Sequence, residues 1–270
     1  NNYIATKKYF FDNLPINAIS IINADDTHSA TMVLDTNSKK IFYGINSPSH
    51  YTARILEDNI TGLNLEIDDV EISSKLIGEF NAYNLLATYS VACELGQDKA
   101  IVHSLLSNLS SVPGRFNIIQ SVSGVIGVVD YAHTPDALKK VILSISNFCK
   151  INKDLIIVLG CGGNRDYGKR SIMGKIACEN SNIAIFTSDN PRLENPESII
   201  NDMLSDLSSE LKNKVQTILN REEAIRFAVD SASTGSVILV AGKGHEKFQD
   251  SRGKKTPFDD FTILETLLNP

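Results

Sequence analysis

The sequence predicts an α/β protein in two parts, with a doubly wound parallel-sheet domain over residues 113–270. Three observations carry that prediction. Beyond Pro113 and Gly114 the chain settles into apolar runs separated by helical patterns. The runs are apolar throughout instead of alternating, as strands covered on both faces require. Four of the five segments that follow them are rich in Gly, Pro, Asp, Arg and His, on the edge where open parallel sheets bind ligands.

Taken in order, NNYIATKKYFFDNL (1–14) has a helical pattern and Ala18–Asn23 reads as a short strand ending in NADD. Residues 28–80 alternate strand-like runs (KKIFYGI, GLNLEI, VEISSKLI) with polar breaks, which predicts antiparallel hairpins. Phe80–Gly96 is an amphipathic helix with a glycine stop, and Ala100–Leu109 a second helix. SSVPGRF then breaks the pattern and places a domain boundary at 112/113. Strands are expected at Gly124–Val129, Asp154–Leu159, Asn182–Thr187, Lys214–Leu219 and Ser236–Val240. Helices are expected at Pro135–Phe148, Ile172–Asn180, Pro196–Leu211, Glu222–Ser231 and Phe261–Leu268.

Composition narrows the function. A formal net charge of −6, with Lys and Arg scattered, argues against a nucleic-acid surface, which needs concentrated positive charge. No apolar run is long enough to span a bilayer and no signal peptide is recognisable, so a cytoplasmic protein is expected. Cys93, Cys149, Cys161 and Cys178 form no C-x-x-C pair and no metal-ligand spacing, which reads as idle thiols in a reducing compartment.

The strand ends carry the chemistry: DYAHTPD (Asp130–Asp136), GCGGNRD (Gly160–Asp166), SDNPR (Ser188–Arg192), NREEA and GKGHE (Gly242–Glu246). The glycine-rich turn GCGGNRDYGKRS approaches three motifs. As a P-loop it puts Arg170 where Ser or Thr must ligate Mg²⁺, which arginine cannot do. As a dinucleotide loop it begins with Gly160 and Gly162 but offers Arg165 at the third glycine position. Asp189 at the end of the next strand keeps an NAD-dependent oxidoreductase open as an alternative. The third reading is an anion-friendly loop that presents Arg165, with Arg192 as a second cation and Asp189 and Glu246 as acids. Two guanidinium groups and two carboxylates complement a zwitterion such as an amino acid.

Seven blocks in order, NADD (Asn23–Asp26), FNAYNLLA (Phe80–Ala87), PGRF (Pro113–Phe116), VDYAHTPDAL (Val129–Leu138), GCGGNRDYGKR (Gly160–Arg170), TSDNPR (Thr187–Arg192) and AGKGHE (Ala241–Glu246), resemble the Mur ligases of peptidoglycan synthesis. Within them the chain looks like the members that add meso-diaminopimelate to UDP-N-acetylmuramoyl-L-alanyl-D-glutamate. The resemblance implies a Rossmann-like C-terminal domain (113–270) that binds the amino acid, preceded by the C-terminal part of a central ATPase domain (1–112). It implies ATP and Mg²⁺ as cofactors, an acyl-phosphate route to an amide, and the UDP-N-acetylmuramoyl-dipeptide and meso-diaminopimelate as small-molecule substrates. No nucleic-acid or membrane partner is expected, and the protein is expected to be a monomer.

Matched position by position, Asn81 and Asn84 look like adenine contacts. Arg115, Asp130, Tyr131 and His133 look like phosphate or ribose contacts. Arg165, Asp189, Asn190, Arg192, Gly242 and Glu246 look like the amino-acid pocket. Arg192 is the discriminating residue, since diaminopimelate has a distal carboxylate to pair with it and lysine has none. The family's G-T-x-G-K-T type P-loop, its Mg²⁺ ligands and its modified lysine find no counterpart here and are expected upstream of Asn1, as are the catalytic residues. The chain is therefore expected to be the C-terminal portion of a longer ligase, inactive alone; a non-catalytic module binding an amino acid or nucleotide is the second alternative.

Overall fold

A computed structural model describes residues 2–148 and 154–270; Cys149 and Asn1 lie outside the described residues. The chain divides into two compact units, Asn1–Ser110 and Ser111–Pro270. The division falls two residues before the boundary expected from SSVPGRF.

In the first unit α1 (Asn2–Asp12) precedes β1 (Ile19–Asn23), α2 (Ser29–Met32), β2 (Lys39–Gly44), β3 (Tyr51–Asn59), β4 (Gly62–Ile67) and β5 (Val70–Ser74). The strands form one sheet in the order β1-β2-β3-β4-β5. The hairpins expected over 28–80 hold only for β3-β4-β5; β2 instead runs parallel to β1 and meets β3 in parallel at Tyr43–Tyr51 and Gly44–Thr52. The strand β3 is absent from the sequence reading because Arg54, Glu57 and Asp58 interrupt its pattern and only Ala53 in it is buried. Helices α3 (Glu79–Glu94) and α4 (Lys99–Ser107) pack Ala82, Leu85, Leu86, Tyr89, Val102 and Leu106 against Leu63, Leu65, Ile67 and Ile72. The Asp98 side chain accepts from Ile101 N at 3.1 Å and so sets the start of α4.

The second unit contains β6 (Asn117–Gln120), β7 (Ile126–Asp130), α5 (Pro135–Phe148), β8 (Leu155–Leu159), α6 (Gly168–Glu179), β9 (Ile183–Phe186), α7 (Pro196–Leu204), α8 (Ser209–Lys212), β10 (Val215–Thr217), α9 (Arg221–Asp230), β11 (Val237–Ala241), β12 (Phe248–Ser251), β13 (Lys254–Pro257) and α10 (Asp260–Leu268). Its main sheet has the order β10-β9-β8-β11-β7-β6, parallel except for the edge strand β6. Every residue of β8 and β11 is buried, as their unbroken apolar runs require. Ile156, Val158, Ile238 and Val240 face Ala224, Ile225, Ala228, Leu264 and Leu268 of α9 and α10. The intervening Ile157, Leu159 and Leu239 are equally buried on the opposite face. The chain steps outward from β8 through β9 to β10 and then returns to β11, so right-handed crossovers put α6, which follows β8, and α9, which leads into β11, on opposite faces of the sheet. That makes the β8/β11 border a switch point, where a crevice opens at the carboxyl ends.

The expected long helix at Pro196–Leu211 divides into α7 and α8. The antiparallel hairpin β12–β13 and the edge strand β6 are additions to the sequence reading.

Candidate functional site

The sheet register aligns the loops that form the site. Ala241 pairs with both Asp130 and Leu159, and Leu159 pairs with Phe186, so β7, β11, β8 and β9 end side by side. The loops after them enclose one cavity of about 420 Å³. Arg165, Asp189, Asn190, Arg192, Gly242 and Glu246, separated by up to 81 positions in the chain, all line it, together with Tyr131 and His133.

The glycine-rich turn owes its composition to backbone packing. A Cβ on Gly163 would lie 2.0 Å from the Pro191 carbonyl oxygen, inside any permissible contact, and Gly163 N–H donates to Asn190 O at 2.9 Å. The turn after β8 therefore lies directly on the DNPR loop. Arg170, 1% exposed, fastens the two from below: it donates to both oxygens of Glu194 (2.9 and 3.0 Å), to Asp202 (2.8 Å) and to Gly162 O (3.2 Å). The residue that rules out the P-loop reading is thus a strut. Burial acts to lower its pKa, but Glu194 and Asp202 raise it further and keep it charged.

Arg192 adopts φ of 49°, a conformation unusual for a side-chain-bearing residue. It is held there by the hairpin: Arg192 N donates to Asp250 O and Arg252 N to Arg192 O. Its Nη1 donates to Gly163 O at 2.8 Å. Arg165 is exposed and, among the described residues, makes no hydrogen bond or ion pair.

The acids form the opposite wall. Asp189 is buried, with Oδ1 accepting from Asn190 N at 2.6 Å. Its Oδ2 faces Gly242, whose φ is 117° and whose added Cβ would sit 3.0 Å from that oxygen. Glycine at 242 therefore leaves the carboxylate uncovered as well as permitting the turn. Burial pushes Asp189 above the ordinary carboxylate range, while the Arg221 and Lys243 charges pull it down. For Glu246 burial also pushes upward, but Asn190, Lys243 and Arg192 outweigh it and hold the carboxyl below its usual value. Its Oε2 accepts from Asn190 Nδ2 at 2.7 Å and Lys243 Nζ at 3.1 Å.

Beneath Asp189, Arg221 and Asp260 form a fully buried pair, with Nε and Nη2 donating to the two carboxylate oxygens at 2.8 Å each. Arg221 Nη2 also donates to Ala241 O at 3.0 Å, tying the end of β11 to the first turns of α9 and α10. Lys243, Arg170, Arg221 and Asp260 were not legible as site residues from sequence. Their only signal is position, inside or next to the strand-end motifs.

At the mouth of the crevice Asp130 is buried and its two oxygens accept from Phe116 N (2.8 Å) and Ala132 N (2.7 Å). Burial raises its pKa against those hydrogen bonds. It braces the backbone just after exposed Arg115 and just after Tyr131, and the Arg115 guanidinium lies 5.4 Å from the Tyr131 ring centre. The Tyr131 ring also packs at 4.5 Å from His133 and 5.0 Å from His245. Asn81 and Asn84 belong to the other unit, on the first turns of α3. There Asn81 Nδ2 donates to Ile77 O at 2.8 Å and Asn84 Nδ2 to Asn81 Oδ1 at 3.2 Å.

Cys93, Cys161 and Cys178 are free thiols. Among the described residues no helix is long and apolar enough to cross a membrane.

Two family models match: the Mur ligase middle domain over residues 1–92 and the Mur ligase, glutamate ligase domain over 114–244. A UDP-N-acetylmuramoyl-L-alanyl-D-glutamate–2,6-diaminopimelate ligase of Cytophaga hutchinsonii is 44% identical over 269 residues, 100% of this chain and 55% of that protein. The ligase of the same name from Bacteroides thetaiotaomicron is 46% identical over 99% of this chain and 56% of its own length. The chain thus spans about half the length of the curated relatives it matches. A solved structure of a ligase of that name shares 32% identity and a TM-score of 0.59 over 98% of this chain and 56% of its own. A pseudomurein peptide ligase type C from Methanothermus fervidus, 19% identical, shares the fold with a TM-score of 0.68 over 90% of this chain and 57% of its own.

Proposed function

This chain belongs to the Mur ligase family, and on that premise we propose that its Ser111–Pro270 unit holds meso-diaminopimelate for an ATP-dependent ligase acting on UDP-N-acetylmuramoyl-L-alanyl-D-glutamate. The observation that carries the reading is the convergence of Arg165 and Arg192 with Asp189 and Glu246 on one cavity. Among the described residues each acid keeps one carboxylate oxygen without a hydrogen bond, Asp189 Oδ2 and Glu246 Oε1. A guanidinium suits a carboxylate in a bidentate geometry, and a carboxylate suits an ammonium group. An amino acid with a second charged end fills both requirements.

In the reaction, the D-glutamate side-chain carboxylate attacks the γ-phosphorus of ATP and ADP leaves. The diaminopimelate amine then attacks the acyl carbon, phosphate departs and the nitrogen loses a proton. This unit's contribution is positioning: fixing the far end of the amino acid limits the approach of the reacting amine. For the nucleotide, Asn81 and Asn84 are the proposed adenine contacts, and Arg115 with Tyr131 and His133 the phosphate or ribose contacts. Asp130 serves by holding the backbone beside Arg115. Mg²⁺ is the second cofactor of this reading; among the described residues no group of three or more His, Cys, Asp or Glu could hold a metal, and no residue here is assigned to it. The same reading places the enzyme in the cytoplasm as a monomer.

Calorimetric titration of the chain tests the pocket. meso-Diaminopimelate is expected to bind at least about tenfold more tightly than L-lysine, because lysine leaves a desolvated guanidinium unpaired. Arg192→Lys should cost about tenfold or more in diaminopimelate affinity and change L-lysine little. Equal binding of the two ligands, or binding of neither, would sink the proposal.

A further inference from the structure

Lys243 is 0% exposed, yet its ammonium lies directly behind the cavity wall. It donates to Asn190 Oδ1 and to Glu246 Oε2, both at 3.1 Å. A buried ammonium is costly unless it is paired, so a lysine at a purely structural position would be exchanged for an apolar residue at little loss. The geometry gives it a task. Asn190 Oδ1 receives two donors, Lys243 Nζ and Asp250 N at 2.8 Å. That pins the amide so that Nδ2 must point at Glu246 Oε2. Lys243 and Asn190 together occupy Oε2, leaving Oε1 as the oxygen available to a ligand.

We propose that Lys243 is a positioning residue for amino-group recognition, acting through Glu246 by fixing its orientation and keeping it ionised. The proposal rests on the reading of the cavity as an amino-acid pocket. Other charges also bear on Glu246: Arg192 and Asp189 from the loop after β9, and Arg221 from the start of α9. Across the cavity stand Arg165, Lys169 and His133. None of these, among the described residues, hydrogen-bonds to the Glu246 carboxylate; Lys243 is the cation that does.

The test is a double-variant cycle on the whole chain, read as meso-diaminopimelate affinity by calorimetry between pH 3 and 8, a range that includes the lowered titration of Glu246, with folding checked by circular dichroism. Lys243→Met is expected to weaken binding roughly tenfold at pH 7. The pH at which half the affinity is lost should move up by about 1 unit, since Glu246 loses its contacting cation and protonates sooner. A merely structural lysine would change affinity without moving that midpoint. If Lys243→Met does not fold, the pair Glu246→Gln and Lys243→Met/Glu246→Gln decides, because the double variant strands no buried charge. The two should bind within about twofold of one another if Lys243 acts through Glu246. A further tenfold loss in the double variant, or an unshifted pH midpoint in Lys243→Met, overturns the proposal. A wild-type chain that binds no meso-diaminopimelate overturns instead the reading of the pocket, and this inference with it.

Discussion

Two pairs of arginines in the strand-end segments around the crevice are used in opposite ways. In the floor, Arg170 and Arg221 are each 1% exposed and held by carboxylates, Glu194 and Asp202 for one and Asp260 for the other. On the rim, Arg165 and Arg192 form no ion pair or hydrogen bond with a carboxylate among the described residues; Arg192 acts on Glu246 only through its field. All four come from the same kind of strand-end segment, so residue type and local motif do not distinguish them. What separates them is whether the fold supplies an anion. A charge with an internal partner fixes architecture; a charge left facing a cavity is available to a ligand.

The sharpest way to break this contrast is in the floor. Arg221→Met leaves Asp260 buried, 0% exposed and without its cation, and should destabilise the protein by about 3–5 kcal/mol. Denaturant unfolding would measure it. Replacing both partners, Arg221→Met with Asp260→Leu, should recover most of the loss, because no uncompensated charge remains. If the double variant is as unstable as the single one, the pair contributes more than mutual neutralisation.

The other unit offers an engaged carboxylate of intermediate size. Burial acts to raise the pKa of Asp25, but hydrogen bonds from Asn46, Ser47, Ile45 and Tyr83 overcome it and hold it at about 2. A folded value below the ordinary 3.8 means stability that is fully present above pH 4 and lost as pH falls through about 2. Partial exposure of Asp25 limits the contribution to at most about 2 kcal/mol. Asp25→Asn should therefore lower stability at pH 7 and flatten the loss between pH 4 and 2, as urea unfolding across that range would record. An unchanged acid limb would remove Asp25 from the set of engaged charges.

The same contrast explains how far the sequence could be read. Unbroken runs such as Leu155–Leu159 and Val237–Ala241 announce buried parallel strands, and their carboxyl ends locate the loops of the crevice. Strand β3 and the β12–β13 hairpin escape because their pairing partners, not an apolar pattern, decide their conformation; FQDSRGKKTP has almost no hydrophobic signal. That hairpin nevertheless sets the φ of Arg192. The six proposed amino-acid residues are legible as motifs, whereas Lys243 between two glycines is not, since burial of a lysine depends on the distant partners Asn190 and Glu246.

The smallest expected change lies on the rim. Arg165 is exposed and touches no carboxylate, so Arg165→Gln should alter stability by no more than about 0.5 kcal/mol. Its effect on meso-diaminopimelate should be several-fold, about 1 kcal/mol, because a charge-assisted hydrogen bond at a partly solvated site is worth roughly that much. Raising the salt concentration should shrink the difference between wild type and variant, since an exposed guanidinium is screened more than a buried one. Thermal melts and titrations at two ionic strengths give both quantities. A destabilisation comparable to that of a floor arginine would mean that Arg165, too, has an internal partner, and the division between floor and rim would have to be redrawn around Arg192 alone.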